Sequence, residues 1–295
     1  MPNYHNDPNI MVGDLAKFKL ATCTTNFTDG LTDEKDTLKE RQENTEDISK
    51  LQDRLYAEGR QGLLLIFQAM DAAGKDSTIE HVMSGINPQG CKVVSFKQPS
   101  KSELAHDFLW RCSKEIPERG YIGIFNRSHY EEVLVCKVHP EYVLGQNIND
   151  LDSTTKMNQT FWDNRYESIV DFEKHLSRNG YTILKFFLNI GKDEQRNRFL
   201  SRIDDQEKNW KFNTGDLAER ELWDEYQSAY EEMIKATHTQ ESPWFIIPAD
   251  HKWFMRYAVS EIIKDTLKTM DPSFPTLNSK DTDKLVQAKV ALNKE

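Results

Sequence analysis

Five short apolar runs constrain this chain more than anything else in it: Leu63–Phe67, Val93–Phe96, Tyr121–Phe125, Thr182–Leu188 and Trp244–Ile247. Each is long enough for a strand buried on both faces and too short for a buried helix. Helix-length segments of mixed polarity separate them. That alternation predicts an α/β fold, a parallel sheet with helices on both faces. Pro243 and Pro248 flank the last run and match its ends. Residues 33–58 predict a helix, with Ile48, Leu51 and Leu55 on one face and Gly59 at its stop. A second helix is expected over 153–179, a loop over 271–280 and a loose helix over the last fifteen residues. Residues 1–32 show little periodicity and read as an arm. The expected division is an arm and helix over 1–58, a core over 59–270 and a tail over 271–295.

Composition matters here for what it excludes. Hydrophobic residues at 38% and aromatics at 11% supply a real core and rule out a disordered chain. No apolar run approaches a membrane span. The start, MPNYHNDPNIMVGD, has neither a basic cluster nor an apolar stretch, so a cytoplasmic location without a signal peptide is expected. Cys23, Cys91, Cys112 and Cys136 lack any CxxC or histidine spacing and read as free thiols. A net charge of −10 argues against broad nucleic-acid binding. A polyanion held in a local basic channel stays compatible with it.

After the first run comes AMDAAGKDS, residues 69–77. A phosphate loop needs backbone N–H groups turned inward and side chains small enough for close approach. Ala72, Ala73 and Gly74 meet that need, and Lys75 adds a point charge. The familiar GxxxxGK[ST] pattern is altered at both ends. Ala69 replaces its first glycine, and Asp76, followed by Ser77, replaces its hydroxyl. Ala69 is expected at negative φ, since alanine avoids the left-handed region. Asp71 is an unusual residue beside bound anions; a divalent cation travelling with the phosphates explains it. The ordinary alternative is a plain strand-to-helix turn capped by Asp76 or Ser77.

Ligands in open α/β sheets bind beyond the carboxyl ends of the strands. Asn126 and Arg127 follow the third run there, and Lys97 follows the second, with Arg111 further on. Arg127 offers a bidentate fork for phosphate oxygens, or an ion pair with Glu131. His129 reads as packing. Residues 192–222 crowd Arg196, Arg198, Arg202, Lys208 and Lys211 around Trp210 and Phe212. Such a run is either a solvated, ion-paired helix face or a basic lid over an anion.

Six ordered stretches together resemble polyphosphate kinase family 2, and more closely its class III branch. They are FQAMDAAGKDSTIEHV, GINPQGCKVVSFKQPS, LAHDFLWR, IGIFNRSHYEEVLV with KVHPEY, EQRNRFLSRIDDQEKNWKF and SPWFIIPADHKWFMR, spanning about residues 60–270. The resemblance implies a P-loop kinase-like core with a helical lid. It implies phosphoryl transfer from inorganic polyphosphate to AMP or ADP, forming ADP or ATP, with Mg²⁺ or Mn²⁺ in its place. It assigns Asp71 and Lys75 to the phosphate loop, Asn126 and Arg127 to the second motif, and the basic residues of 192–222 to the lid. Asp71 is the expected metal-holding residue, and Arg202 the lid residue expected at the reaction. Other branches carry an aspartate where Asn126 stands. Family analogy also suggests a homo-oligomer. Two alternatives share the loop: an ATP-dependent nucleoside monophosphate kinase, and a nucleotide-binding protein without transfer.

Overall fold

A computed structural model describes residues 3–294. Its sheet has five strands, all parallel: β1 (Gly62–Gln68), β2 (Cys91–Ser95), β3 (Ile122–Asn126), β4 (Tyr181–Asn189) and β5 (Trp244–Pro248). Their order is β2-β3-β1-β4-β5. All five apolar runs became strands, with ends shifted by at most two residues. β1 is buried along its whole length, as a central strand covered on both faces must be. β2 lies at the edge, and Val93 there is exposed.

A 3₁₀ turn, Glu34–Thr37, with a capping box at Asp33 leads into the helix Leu38–Glu58, which ends where Gly59 turns left-handed at φ 64°. It packs on the helix Lys252–Met270, which in turn meets Lys75–Met83. Lys264 ties the first two together, donating to Asn44 at 2.8 Å and Glu261 at 2.7 Å. The helices Gln159–Arg178 and Trp223–Thr237 form a second group. They meet the side of β4 from which Lys185 projects, while Phe186, one residue on, stacks with Phe67 of β1. The helix expected over 153–179 is shorter than its pattern. Asn158 accepts from the Phe161 N–H and starts it, leaving only a 3₁₀ turn at Thr154–Lys156.

Residues 3–32 are irregular, yet Tyr4, Ile10, Val12 and Leu20 are buried. Met11 forms an antiparallel bridge to Phe245, and the Ile246 N–H donates to Ile10 at 2.7 Å. This segment therefore covers the outer edge of β5, an edge that would otherwise invite pairing with another chain. The helix Ser279–Leu292 stands where a loose terminal helix was expected, with no buried residue. All four cysteines are free thiols. Among the described residues, no helix is long and apolar enough to cross a membrane.

Candidate active site

The carboxyl ends of the strands bring Asp71, Lys97, Arg111 and Arg127 to one cleft, with Lys75, Asp76 and Asn126 beside it, while Arg196, Arg202, Lys208 and Lys211 do not line it. Residues 69–74 leave β1 as a turn, and the helix Lys75–Met83 follows. Ala69 avoids positive φ as expected. Ala72 at 61° and Gly74 at 106° carry the left-handed conformations instead. For Gly74 this is the residue's ordinary freedom. For Ala72 it is strain, of about 1–3 kcal/mol, which surrounding structure must hold.

Arg198 is what holds it. Sequence placed this residue among the lid cations facing the anion, but the structure puts it under the loop. Nη1 donates to the Ala72 carbonyl at 3.2 Å and Ala73 at 2.7 Å. Nη2 donates to Ala249 at 2.6 Å and Asp250 at 3.0 Å, and Nε to Glu194 at 2.7 Å. All five guanidinium donors are thereby taken by protein acceptors. Drawing the Ala72 and Ala73 carbonyls down turns the Gly74 N–H to the opposite side, while the Ala73 N–H donates to Met70 O at 3.3 Å. A guanidinium behind the loop also makes it more positive.

Lys75 is buried, and its ammonium folds back on the loop, donating to Ala69 O at 2.7 Å and Met70 O at 3.5 Å. Burial first, and Arg127 second, press its pKa down from 10.5 to about 8, against the pull of Asp71, Glu131 and Asp76. Asn126, at the end of β3, donates to the Asp76 carboxylate at 2.6 Å. Arg127 sits at φ 63° and donates to Asp71 at 3.1 Å, with Glu131 3.6 Å away on its other side. The ion-pair reading of Arg127 is thus borne out, with Asp71 as well as Glu131, and the residue also lines the cleft.

That cleft has a volume of about 700 Å³. Met70, Asp71, Arg127 and Glu131 form its floor, and Phe96, Lys97, Leu104, Phe108 and Tyr142 part of its walls. Asn213, Asp216 and Glu219 reach it from the 192–222 segment. Arg111 donates to the Lys97 carbonyl at 2.8 Å and lies 3.3 Å from Glu103, bracing that wall. Within the basic segment, the helix Lys192–Asp204 carries Arg202 near Asp216, at 3.9 Å. Arg196, Lys208 and Lys211 are exposed, and Trp210 is 78% exposed. Ser77 is half-buried and donates to the Gly74 carbonyl at 3.1 Å.

Several site residues escaped sequence reasoning. Glu131 was read only as a partner of Arg127, yet it lines the cleft. Its pKa is raised by burial, which outweighs the opposing pull of Arg127 and Lys75. Asp216 is raised by burial and then by Asp71, so two carboxylates repel across the cleft. Gln195 donates to the Asp71 carbonyl at 2.9 Å, and Arg220 donates to Gln195 at 2.7 Å, linking the lid to the loop. None of these has a sequence signature beyond lying in a charged run.

The donor set suits a divalent cation carried by phosphates. Asp71, Glu131, Glu132, Glu141, Asp216 and Glu219 line the cleft against Lys97, Arg111 and Arg127, six acids to three cations. Highly charged anions enter such a cleft only with counter-cations. Among the described residues no group of three or more ligating side chains forms a closed metal cage. Mg²⁺ at phosphoryl-transfer sites needs only one or two carboxylates beside the phosphates, and Asp71 and Glu131, both paired with Arg127, are the candidates to hold it.

Comparison with known proteins shows the family and the fold. The family model described as Polyphosphate kinase 2 matches residues 31–275. An ADP-polyphosphate phosphotransferase of Rhodopseudomonas palustris is 51% identical over 249 residues, 84% of this chain and 85% of that protein. An AMP/ADP-polyphosphate phosphotransferase of Meiothermus ruber is 47% identical over 228 residues, 77% of this chain and 80% of that protein. The crystal structure of polyphosphate kinase 2 from Arthrobacter aurescens TC1 superposes with a TM-score of 0.84 at 37% identity, covering 94% of this chain and 95% of that one. A P-loop between β1 and its helix, a family-model match over residues 31–275 and relatives alike over most of their length place this chain in the polyphosphate kinase 2 family.

Proposed function

We infer that this protein transfers the terminal phosphoryl group of inorganic polyphosphate to AMP or ADP. One observation carries this beyond family membership: the phosphate loop, Arg127 and an apolar-walled cleft of about 700 Å³ meet at one sheet edge. That volume takes a nucleotide, and the loop beside it takes a polyphosphate end.

Repulsion is the physical obstacle, since donor and acceptor are both anionic. The acceptor oxygen of a nucleotide phosphate is already largely ionised at neutral pH, so no strong base is needed. Catalysis then consists of positioning and charge compensation. The loop N–H groups and Lys75 hold phosphate oxygens at the transfer point. Arg127 serves the group in transfer, and Arg202, 3.9 Å from Asp216 at the cleft, is assigned to the same charge compensation. Burial ordinarily threatens a charge, but Glu131, ahead of Asp71, raises the Arg127 pKa further and keeps it cationic. Asp71 and Glu131 would hold Mg²⁺, which supplies further charge neutralisation when bound. Asp76 and Asn126 fix the start of the helix below. A cytoplasmic homo-oligomer without a nucleic-acid partner completes the proposal; the net charge of −10 supports its last part.

Incubation with long-chain polyphosphate, Mg²⁺ and AMP or ADP, without ATP, should yield ADP or ATP. Transfer to AMP only when ATP is supplied would identify a nucleoside monophosphate kinase. Absence of transfer under every condition would leave a binding protein. Arg202→Ala should raise the KM for polyphosphate and flatten its salt dependence, because counterion release scales with phosphates neutralised. An unchanged KM and salt slope would remove Arg202 from the site.

Lys75 also sets a pH dependence. Its folded pKa, about 8, lies below its ordinary 10.5. The free enzyme therefore loses this positive charge as pH rises through about 8, and kcat/KM for polyphosphate should fall there. A bound anion favours the ammonium, so kcat itself should hold to higher pH. Identical pH profiles for the two constants would contradict this. Stability runs the other way: the unfolded chain keeps its proton longer, so this group's contribution becomes less unfavourable between about 8 and 10.5.

A further inference from the structure

Asp250 touches nothing in the cleft, yet all four of its polar groups are engaged. It follows β5 by two residues and is half-buried. Carboxylate Oδ1 accepts from the Gly191 N–H at 2.7 Å, and Oδ2 from the Thr25 hydroxyl at 2.6 Å. Its own N–H donates to the Thr25 carbonyl at 3.0 Å, and its carbonyl accepts from Arg198 at 3.0 Å. Gly191 is the residue from which the basic helix Lys192–Asp204 departs. Space there is tight: a Cβ on Gly191 would lie 3.1 Å from the Thr25 hydroxyl and 3.2 Å from Asp250 Oδ2.

We propose that Asp250 is a positioning residue, a clamp that couples the N-terminal arm, the lid root and the phosphate loop. Sequence alone could not join these parts, since Thr25, Gly191 and Asp250 are far apart in the chain. Thr25 lies outside the family match, which begins at residue 31. Two routes lead from the clamp to the chemistry. Gly191 fixes where the lid helix leaves the sheet. Arg198, seven residues later, reaches back to the Asp250 carbonyl and forward to Ala72 and Ala73. Loss of the carboxylate frees the lid root, and Arg198 then holds the strained Ala72 conformation less firmly. The proposal rests on the phosphotransferase function inferred above, but its first measurement does not.

That measurement is tryptic cleavage of the substrate-free protein at Lys208 and Lys211, both exposed in the lid. Asp250→Ala should speed it about tenfold, the effect expected when one charge-assisted hydrogen bond is lost. In the polyphosphate-to-ADP assay its kcat should fall by about tenfold, with the KM for ADP little changed. Asp250→Asn keeps an oxygen for Gly191, and the Thr25 hydroxyl can turn to accept from the new amide; it should stay near wild type in both readouts. Thr25→Ala should shift both in the direction of Asp250→Ala, and Thr25→Ser should restore them. If Asp250→Ala does not fold, the Thr25 pair carries the test, because it removes one hydroxyl from a half-buried site. Wild-type cleavage in Asp250→Ala and Thr25→Ala would overturn the clamp. So would equal damage from Thr25→Ser, which keeps the bond. A wild-type protein that transfers no phosphoryl group would instead overturn the function, leaving the cleavage result to stand on its own.

Discussion

Lys75→Ala should leave a folded protein whose phosphoryl transfer is slower by at least about 10²-fold, the usual cost of removing one preorganised electrostatic contact. Two features make the expected effect large. The ammonium lies in a desolvated position, where a charge acts over less screening than at the surface. Its bonds to the Ala69 and Met70 carbonyls hold it at the loop and leave one of its three N–H groups for a phosphate. Stability should change little or rise, because the protein holds this cation at an expense that its depressed pKa records. The measurement is kcat at saturating polyphosphate, with thermal melts of both proteins. A variant with wild-type kcat and an intact melt would remove the loop from the reaction. Lys75→Arg should fail nearly as badly, since a planar fork does not fit where a compact ammonium lies buried.

Much of this was legible in the sequence, for a physical reason. A strand buried on both faces has to be apolar throughout, so β1, β3, β4 and β5 announce themselves without reference to their neighbours. The phosphate loop is equally local: AMDAAGKDS places small residues and a lysine where strand meets helix. What stayed hidden depends on contacts across the chain. Arg198 resembled Arg196 and Arg202 as one cation among several, and only the fold shows that four of its five donors face carbonyls of two distant loops. Strain at Ala72 rather than Ala69 follows from that contact, not from the residue itself. Residues 1–32 read only as an arm or irregular lead-in because irregular segments have no period. The burial of residues 3–32 comes from single side chains such as Tyr4 and Ile10 meeting a core built elsewhere. Carboxylates of the cleft, Glu131 and Asp216, lie in runs where charged neighbours mask them.

The largest stability change should come from a charge that the chemistry does not use. Lys185 projects from β4 into the interior, where Nζ donates to Glu173 at 2.7 Å, Thr237 O at 2.7 Å and Tyr130 Oη at 3.1 Å. Both members of this ion pair are fully buried, at 0% and 1% exposure. Burial alone would raise the Glu173 pKa, but Lys185 and then His129 outweigh it and hold it at about 2. Burial lowers the Lys185 pKa despite the opposing pull of Glu173, and three close acceptors receive the ammonium's N–H groups. Tyr130 donates to Glu173 at 2.6 Å, so the pair also props the loop that carries Arg127. Glu173→Gln should therefore cost about 3–5 kcal/mol of unfolding free energy, because it strands a buried ammonium. Lys185→Met should cost a similar amount by stranding the carboxylate. Combined, the two substitutions should cost clearly less than their sum, since neither charge is then left alone. Urea denaturation of the four proteins measures this cycle. Additive losses would mean that the two charges do not depend on each other. The sign with pH follows from a depressed carboxylate pKa: the contribution is complete above the ordinary 4.5 and is lost as pH falls towards about 2. The wild-type protein should thus lose more stability on acidification than Glu173→Gln does, and the gap between them should close in acid.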